Sequence, residues 1–315
     1  MDRNTENNKL SFDHPSADGI HTLKGNIYTP LGEMKGYIQI VHGMTEHIER
    51  YDRFMRALAE SGYFVFGFDN LGHGYTANND SELGYIAKEN GWDILARDVA
   101  NVAKHIISEW KKEYGKCPYT LLGHSMGSFI VRVAADKYIT PDKLIIMGTS
   151  GNNPAADAGL ALISVIKKIK GEKHYSPLID NIAFGSYNKR FGGGTKDDPS
   201  PWLTNDKDVR AAYYANKFCT FKFTVSAMGD LIRLIKECNT KKWYGSVAKK
   251  CPILLVSGCD DPVGNYGKGV LEVRDGLKER GADVECILYK GARHEILNDF
   301  TYNDVINDII KFVEK

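Results

Sequence analysis

Short apolar runs alternate with amphipathic helical segments along most of the chain, and this alternation constrains the fold more than any other feature. Lys35–Val41, Tyr63–Phe68, Thr120–Leu122, Lys143–Met147, Ile253–Ser257 and Val284–Tyr289 read as strands. Tyr51–Ser61, Asp93–Tyr114, Met126–Lys137, Leu271–Arg280 and Val305–Val313 carry apolar residues at helical spacing. In the longest of these, Ile94, Val99, Val102, Ile106 and Trp110 fall near one face. Several of the strands are apolar throughout, so both of their faces must be covered. The pattern predicts an α/β fold: a mostly parallel central sheet with helices on both faces.

Between about residues 150 and 246 the rhythm breaks. A helical pattern at Ala158–Lys170 is followed by the run Gly192-Gly193-Gly194, a turn at Asp198–Pro201, and helical patterns around Val209 and Met228. Roughly 100 residues between two strands far exceeds an ordinary connection of about 2–6 residues. The segment 150–246 is therefore expected to be an inserted cap over a core formed by 1–149 and 247–315. The polar start, Asp2–Asn8, is expected to fray.

Composition excludes several functions. Lys and Arg total 41 against 40 Asp and Glu, a net charge of +1, which leaves no basic excess for nucleic acid. No apolar run approaches the 18 or so residues of a membrane span, and Met1–Leu10 lacks the apolar core of an export signal. The six cysteines are irregularly spaced with no C-x-x-C, so they read as reduced thiols, mostly buried, in a cytoplasmic protein.

The chemistry centres on Gly123-His124-Ser125-Met126-Gly127. A G-x-S-x-G occurs by chance too often to stand alone, but here an apolar strand leads in and a helical pattern leads out. That is the strand–turn–helix of a nucleophile elbow, in which a strained turn exposes the serine above the sheet. A serine hydroxyl needs an adjacent base, and the base needs a partner that fixes its tautomer. His294 follows the last strand in Lys290-Gly-Ala-Arg-His294-Glu295, later in the chain than both candidate acids, Asp260 and Asp261. Asp261, beside Pro262, is the preferred acid; Asp260 can instead bond loop amides. The oxyanion of acyl transfer needs preorganised N–H donors. The Met126 amide and the Met44 amide, in the loop His42-Gly43-Met44, are the candidates.

With these pieces in place, the chain resembles the α/β-hydrolase superfamily, and within it the monoacylglycerol lipase, lysophospholipase and serine-aminopeptidase-like group. The matching pieces are His42-Gly43-x-x-Glu46-His47 with Arg50-Tyr51, Asp69-x-x-Gly72-His73-Gly74, the Ser125 elbow, Gly258-x-x-Asp261-Pro262-Val263 and Gly291-Ala292-Arg293-His294-Glu295. They run in order from about residue 20 to the C-terminus. The resemblance implies Ser125 as nucleophile, His294 as general base and acid, Asp261 as orienting acid, and the Met44 and Met126 amides as oxyanion hole, with no cofactor and no metal. It implies a small-molecule acyl ester as substrate, monoacylglycerol or lysophospholipid first. Three positions depart from the group: Met44 where a small residue is common, Thr45 where glycine is common, and Ser128 in place of a second glycine.

Rival readings are an aminopeptidase, with Asp197, Asp198, Asp206 and Asp208 available to a free amine, and a non-catalytic ligand-binding member. An elbow with Ser rather than Asp disfavours a dehalogenase or epoxide hydrolase. A metal between His42, Glu46 and His47 lacks the H-E-x-x-H spacing, and His47 reads as a buried packing residue. Gly264–Gly269 lacks the spacing of a phosphate-binding loop. In the 150–246 segment, Leu160, Leu162, Ile163, Phe184, Tyr187, Trp202, Tyr213, Phe221 and Phe223 suit an acyl chain. Ala158–Ile166, followed by Lys167, Lys168 and Lys170, can also meet a lipid interface transiently.

Overall fold

A computed structural model describes residues 8–315. Eight strands form one sheet: β1 (Lys9–Pro15), β2 (Thr22–Tyr28), β3 (Gly36–Val41), β4 (Tyr63–Phe68), β5 (Tyr119–His124), β6 (Lys143–Met147), β7 (Ile253–Gly258) and β8 (Val284–Tyr289). Their spatial order is β1-β2-β4-β3-β5-β6-β7-β8. From β4 to β8 every pairing is parallel, while β1–β2 and β2–β4 are antiparallel.

Strands β3, β4 (Tyr-Phe-Val-Phe-Gly-Phe), β5 and β7 are buried along their whole length, and helices cover both faces. Helix α1 (Asp52–Glu60) and the closing α10 (Tyr302–Glu314) pack on one face through Phe54, Leu58, Val305 and Ile309. Helices α2 (Gly91–Tyr114), α3 (Met126–Lys137) and α9 (Lys268–Lys278) pack on the other, through Val99, Val102, Ile130, Val131 and Val273. The mostly parallel sheet with helices on both faces is thus as expected from the apolar pattern.

The β1–β2 hairpin is not among the expected strands. Its strands are half polar, with Leu23, Gly25 and Ile27 facing inward in alternation. Burial also begins earlier than expected: Asn8 is buried and donates to the Thr29 carbonyl at 3.0 Å. The remaining polar residues expected to fray, Asp2–Asn7, lie outside the described residues.

Five α-helices occupy the segment 150–246: α4 (Ala156–Lys170), α5 (Pro177–Phe184), α6 (Lys207–Ala215), α7 (Val225–Glu237) and α8 (Lys241–Val247). The last two join the core directly. Trp243 is buried, its Nε1 donates to the Arg132 carbonyl at 2.7 Å, and the Arg132 guanidinium lies over its ring. Among the described residues no helix is long and apolar enough to cross a membrane. The six cysteines are unpaired; Cys219, Cys238 and Cys251 are buried and the other three partly so.

Candidate active site

The expected site residues gather at the C-terminal ends of β3, β5, β7 and the loop after β8, where open α/β sheets place their crevices. Ser125 stands between the end of β5 and the first residue of α3, with φ +54° and ψ −121°. That conformation is strained for a residue with a side chain, and the surroundings impose it. Its N–H donates to the Met147 carbonyl at 2.9 Å, and its carbonyl accepts from the Ser128 amide at 2.9 Å and the Ser128 hydroxyl at 2.6 Å. Ser128 thus caps the turn rather than being incidental to it.

The glycines of the elbow follow from close approach. A Cβ on Gly127 would meet the Val41 and His42 carbonyls, and one on Gly123 would meet the Gly127 carbonyl. A Cβ on Gly43 would lie 2.9 Å from that of Ser125, so the β3 loop lies against the elbow. In that loop the Met44 amide, like the Met126 amide at the start of α3, donates to no other group of the described chain.

His294 and Asp261 are brought together from loops 33 positions apart: His294 Nδ1 lies 2.9 Å from Asp261 Oδ2. Both are buried. Asp261 also accepts from the Ser257 hydroxyl at 3.2 Å and the Val263 amide at 2.8 Å, which fixes its carboxylate. A carboxylate on Nδ1 fixes the tautomer that leaves Nε2 free to take a proton. Asp260 makes no hydrogen bond to His294; its amide donates to the Ala292 carbonyl at 2.9 Å. No hydrogen bond joins Ser125 Oγ to the His294 ring, and such bonds often tighten only when substrate binds.

Beneath these loops lies a buried ionic cluster. Arg50 bonds Glu295 in bidentate fashion (2.8 and 2.7 Å) and Glu46 at 2.8 Å. Glu46 in turn accepts from the Gly43 amide at 2.5 Å and the Tyr51 hydroxyl at 2.9 Å, and lies 3.3 Å from His124 Nδ1. Burial pushes the Glu46 carboxyl up. The His124 hydrogen bond and the charges of Arg50 and His124 outweigh it and hold the group well below the usual carboxylate range. Burial works against a charged His124, yet its bond to Glu46 leaves the imidazole raised overall. Two carboxylates thereby face Arg50 and His124, whose ring lies tilted against that of His294 at 4.8 Å. The cluster joins the β3 loop to the residue after His294. The sequence motifs contain its members, but no local spacing reveals that Arg50 and Glu295, 245 positions apart, meet.

The remaining motif residues are structural. Asp69 accepts from the Ile48 and Tyr75 amides at 2.7 and 2.8 Å, and a Cβ on Gly74 (φ +47°) would strike its carboxylate. Burial pushes His42 down to about 4 and His73 down to about 3, and both serve as neutral links. His42 Nδ1–H donates to the Gly43 carbonyl while Nε2 accepts from the Asn70 amide at 2.9 Å. His47 is buried, with Nε2 2.8 Å from Asn216 Nδ2. Among the described residues no group of three His, Cys, Asp or Glu is arranged to hold a metal ion.

The apolar residues expected to line an acyl site divide. Ile163 and Phe223 are buried in the core, and Tyr213 spends its hydroxyl on Thr45. Trp202 instead lies tilted against His294 at 5.1 Å, and Tyr187 and Phe184 continue away from it edge to face, at ring separations of 5.0 and 5.7 Å.

A serine at a strained strand–helix turn, with an Asp–His pair supplied in that chain order by the last two strands, defines an α/β-hydrolase. Family comparison agrees: residues 32–301 match the family described as serine aminopeptidase, S33, and the chain belongs to that family. Among its relatives, the monoglyceride lipase of Homo sapiens is 30% identical, covering 95% of this chain and 89% of that protein. The monoglyceride lipase of Mus musculus is 32% identical over 95% of this chain and 88% of its own length. Among solved structures, a thermostable carboxyl esterase from Bacillus coagulans in complex with glycerol superposes with a TM-score of 0.87 at 28% identity. It covers 97% of this chain and 98% of that one.

Proposed function

We propose that this carboxylic ester hydrolase cleaves monoacylglycerols through a Ser125–His294–Asp261 triad and an acyl-enzyme. Ser125 Oγ attacks the ester carbonyl as His294 Nε2 takes its proton. The oxyanion is held by the Met44 and Met126 amides. The C–O bond then breaks and the glycerol oxygen leaves with the proton from His294. Water, deprotonated by His294, attacks the acyl-enzyme and releases the fatty acid and Ser125. Asp261 holds the imidazole and stabilises its charged form. The observation that carries this reading is the buried Asp261–His294 pair at 2.9 Å beside an elbow serine held at φ +54°. The two monoglyceride lipases at 30% and 32% identity support the substrate class, and the aromatic row from Trp202 to Phe184 supports an acyl chain. Lysophospholipid is the second substrate considered.

In this reading 150–246 is a cap over the core of 1–149 and 247–315. Its exposed Val165, Ile169, Leu178 and Ile182, among Lys168, Lys170 and Lys173, offer a transient contact to a lipid surface. A cytoplasmic location belongs to the same reading and fits six unpaired thiols. An aminopeptidase is disfavoured by the acids that would bind its amine. Asp198 is paired with Arg210 at 2.7 Å, Asp206 caps α6, and Asp197 and Asp208 are exposed. Hydrolysis of a p-nitrophenyl ester series and of a monoacylglycerol, beside aminoacyl p-nitroanilides, tests the choice. Ester turnover rising with chain length supports the proposal; turnover of anilides alone overturns it.

A further inference from the structure

Thr45 is one of five non-glycine residues with positive φ among the described residues, at +52°. For a β-branched residue this is a strained conformation that persists only where the surroundings over-determine it. Its amide donates to His73 Nε2 at a long 3.4 Å. The stronger restraint comes from 168 positions away. The Tyr213 hydroxyl, on α6, donates to the Thr45 carbonyl at 2.8 Å, and the Thr45 hydroxyl lies 2.7 Å from the same Tyr213 oxygen. Each hydroxyl has one proton, so Tyr213 gives to the carbonyl and Thr45 gives to Tyr213. Tyr213 is itself held: it is buried, and its ring lies 4.9 Å from the Arg50 guanidinium that Glu46 and Glu295 pin. The neighbouring Asn216 anchors the same stretch to His47.

The turn is therefore clamped on both sides of Met44. Glu46 holds the Gly43 amide at 2.5 Å, and Tyr213 holds the Thr45 carbonyl. The Met44 N–H lies between them and has no acceptor in the described chain. We propose that Tyr213 is a positioning residue for ester hydrolysis, holding Thr45 in its strained conformation so that the Met44 amide is fixed for the oxyanion. This inference rests on the oxyanion role given to Met44 above. It also divides the inserted segment: α6 is docked on the core as part of the catalytic scaffold, apart from the exposed α4 and α5 surface.

An interaction that serves only the oxyanion acts on the transition state and not on ground-state binding. Tyr213→Phe should lower kcat for a p-nitrophenyl ester by about tenfold or more, with KM within about twofold, because the donor is displaced rather than deleted. Glycine adopts φ +52° without strain, so in a Thr45→Gly background the further loss on adding Tyr213→Phe should shrink below about threefold. Thr45→Ala, which keeps the strained backbone but loses one of the two bonds, should lower kcat in the same direction by a smaller factor. It serves as the test should Tyr213→Phe fold poorly. Unchanged kcat in these variants, a loss confined to KM, or an equal loss in the Thr45→Gly background would overturn the proposal. Ser125→Ala separates this from the underlying reading. An inactive Ser125→Ala beside a wild-type-like Tyr213→Phe refutes the Tyr213 role alone, whereas an active Ser125→Ala refutes both.

Discussion

Replacing Arg50 with methionine probes the polar interior beneath the site. Arg50 bonds Glu295 through both nitrogens and Glu46 through one, with side-chain exposures of 12% for the arginine and 5% for each acid. Methionine fills much of the volume but leaves two buried carboxylates facing one histidine. Removing one partner of a buried ionic cluster costs about 3–5 kcal/mol, because the remaining charge is neither solvated nor paired. The unfolding entropy of a chain of this length is about 0.7 kcal/mol per kelvin, so the melting temperature should fall by about 4–7 °C. Scanning calorimetry near neutral pH reads this directly. Arg50→Lys should lose less, since it keeps the charge but not the two-pronged geometry. Adding Glu295→Gln to Arg50→Met should recover part of the loss by removing an unpaired charge. Melting of Arg50→Met within 1 °C or so of wild type, or a further fall on adding Glu295→Gln, would refute the reasoning.

Other perturbations follow from the same structure. Gly127→Ala should reduce ester turnover by about a hundredfold, because its Cβ meets two backbone carbonyls and the elbow must shift; assay with a p-nitrophenyl ester checks this. Trp202→Ala removes the ring packed on His294, and should raise KM for a long-chain ester by roughly tenfold while sparing an acetate ester. Burial pushes the Asp98 carboxyl up to about 7, so the folded state holds a proton that the unfolded chain releases. Its contribution to stability is present below about pH 4 and is lost as pH rises through about 7. Asp98→Asn should therefore gain on wild type in melting temperature between pH 4.5 and 7.5, and a pH-independent difference would contradict the assignment.

The parallel core was legible because most of its strands are short, predominantly apolar runs, several of them buried on both faces. Tyr63–Phe68, Lys143–Met147 and Val284–Tyr289 could be bounded by that run alone. The edge hairpin was not, because β1 is largely exposed and β2 interleaves Thr22, Lys24 and Asn26 with Leu23, Gly25 and Ile27, so neither reads as an apolar run. Helix α5 carried a readable start signal, Ser176 capping Ile179 with Pro177 in the first turn, yet eight residues are too few for a periodic pattern to stand out. At the site, Ser125, Asp261 and His294 were legible because their order and strand-end positions are set by chain connectivity. Asp261 and Asp260 are adjacent in sequence; Pro262 favoured Asp261, and in the fold it is Asp261 that reaches His294. Tyr213 illustrates the limit most clearly. It read as an apolar lining residue, and its bond to Thr45 spans 168 positions that no local pattern encodes.

The central claim is that Ser125 carries the hydrolysis of a monoacylglycerol. The direct measurement is fatty-acid release from a monoacylglycerol by wild type and Ser125→Ala, with both variants melting cooperatively. The account predicts steady release by wild type and none above background by Ser125→Ala. Release by Ser125→Ala at a rate near wild type would contradict it.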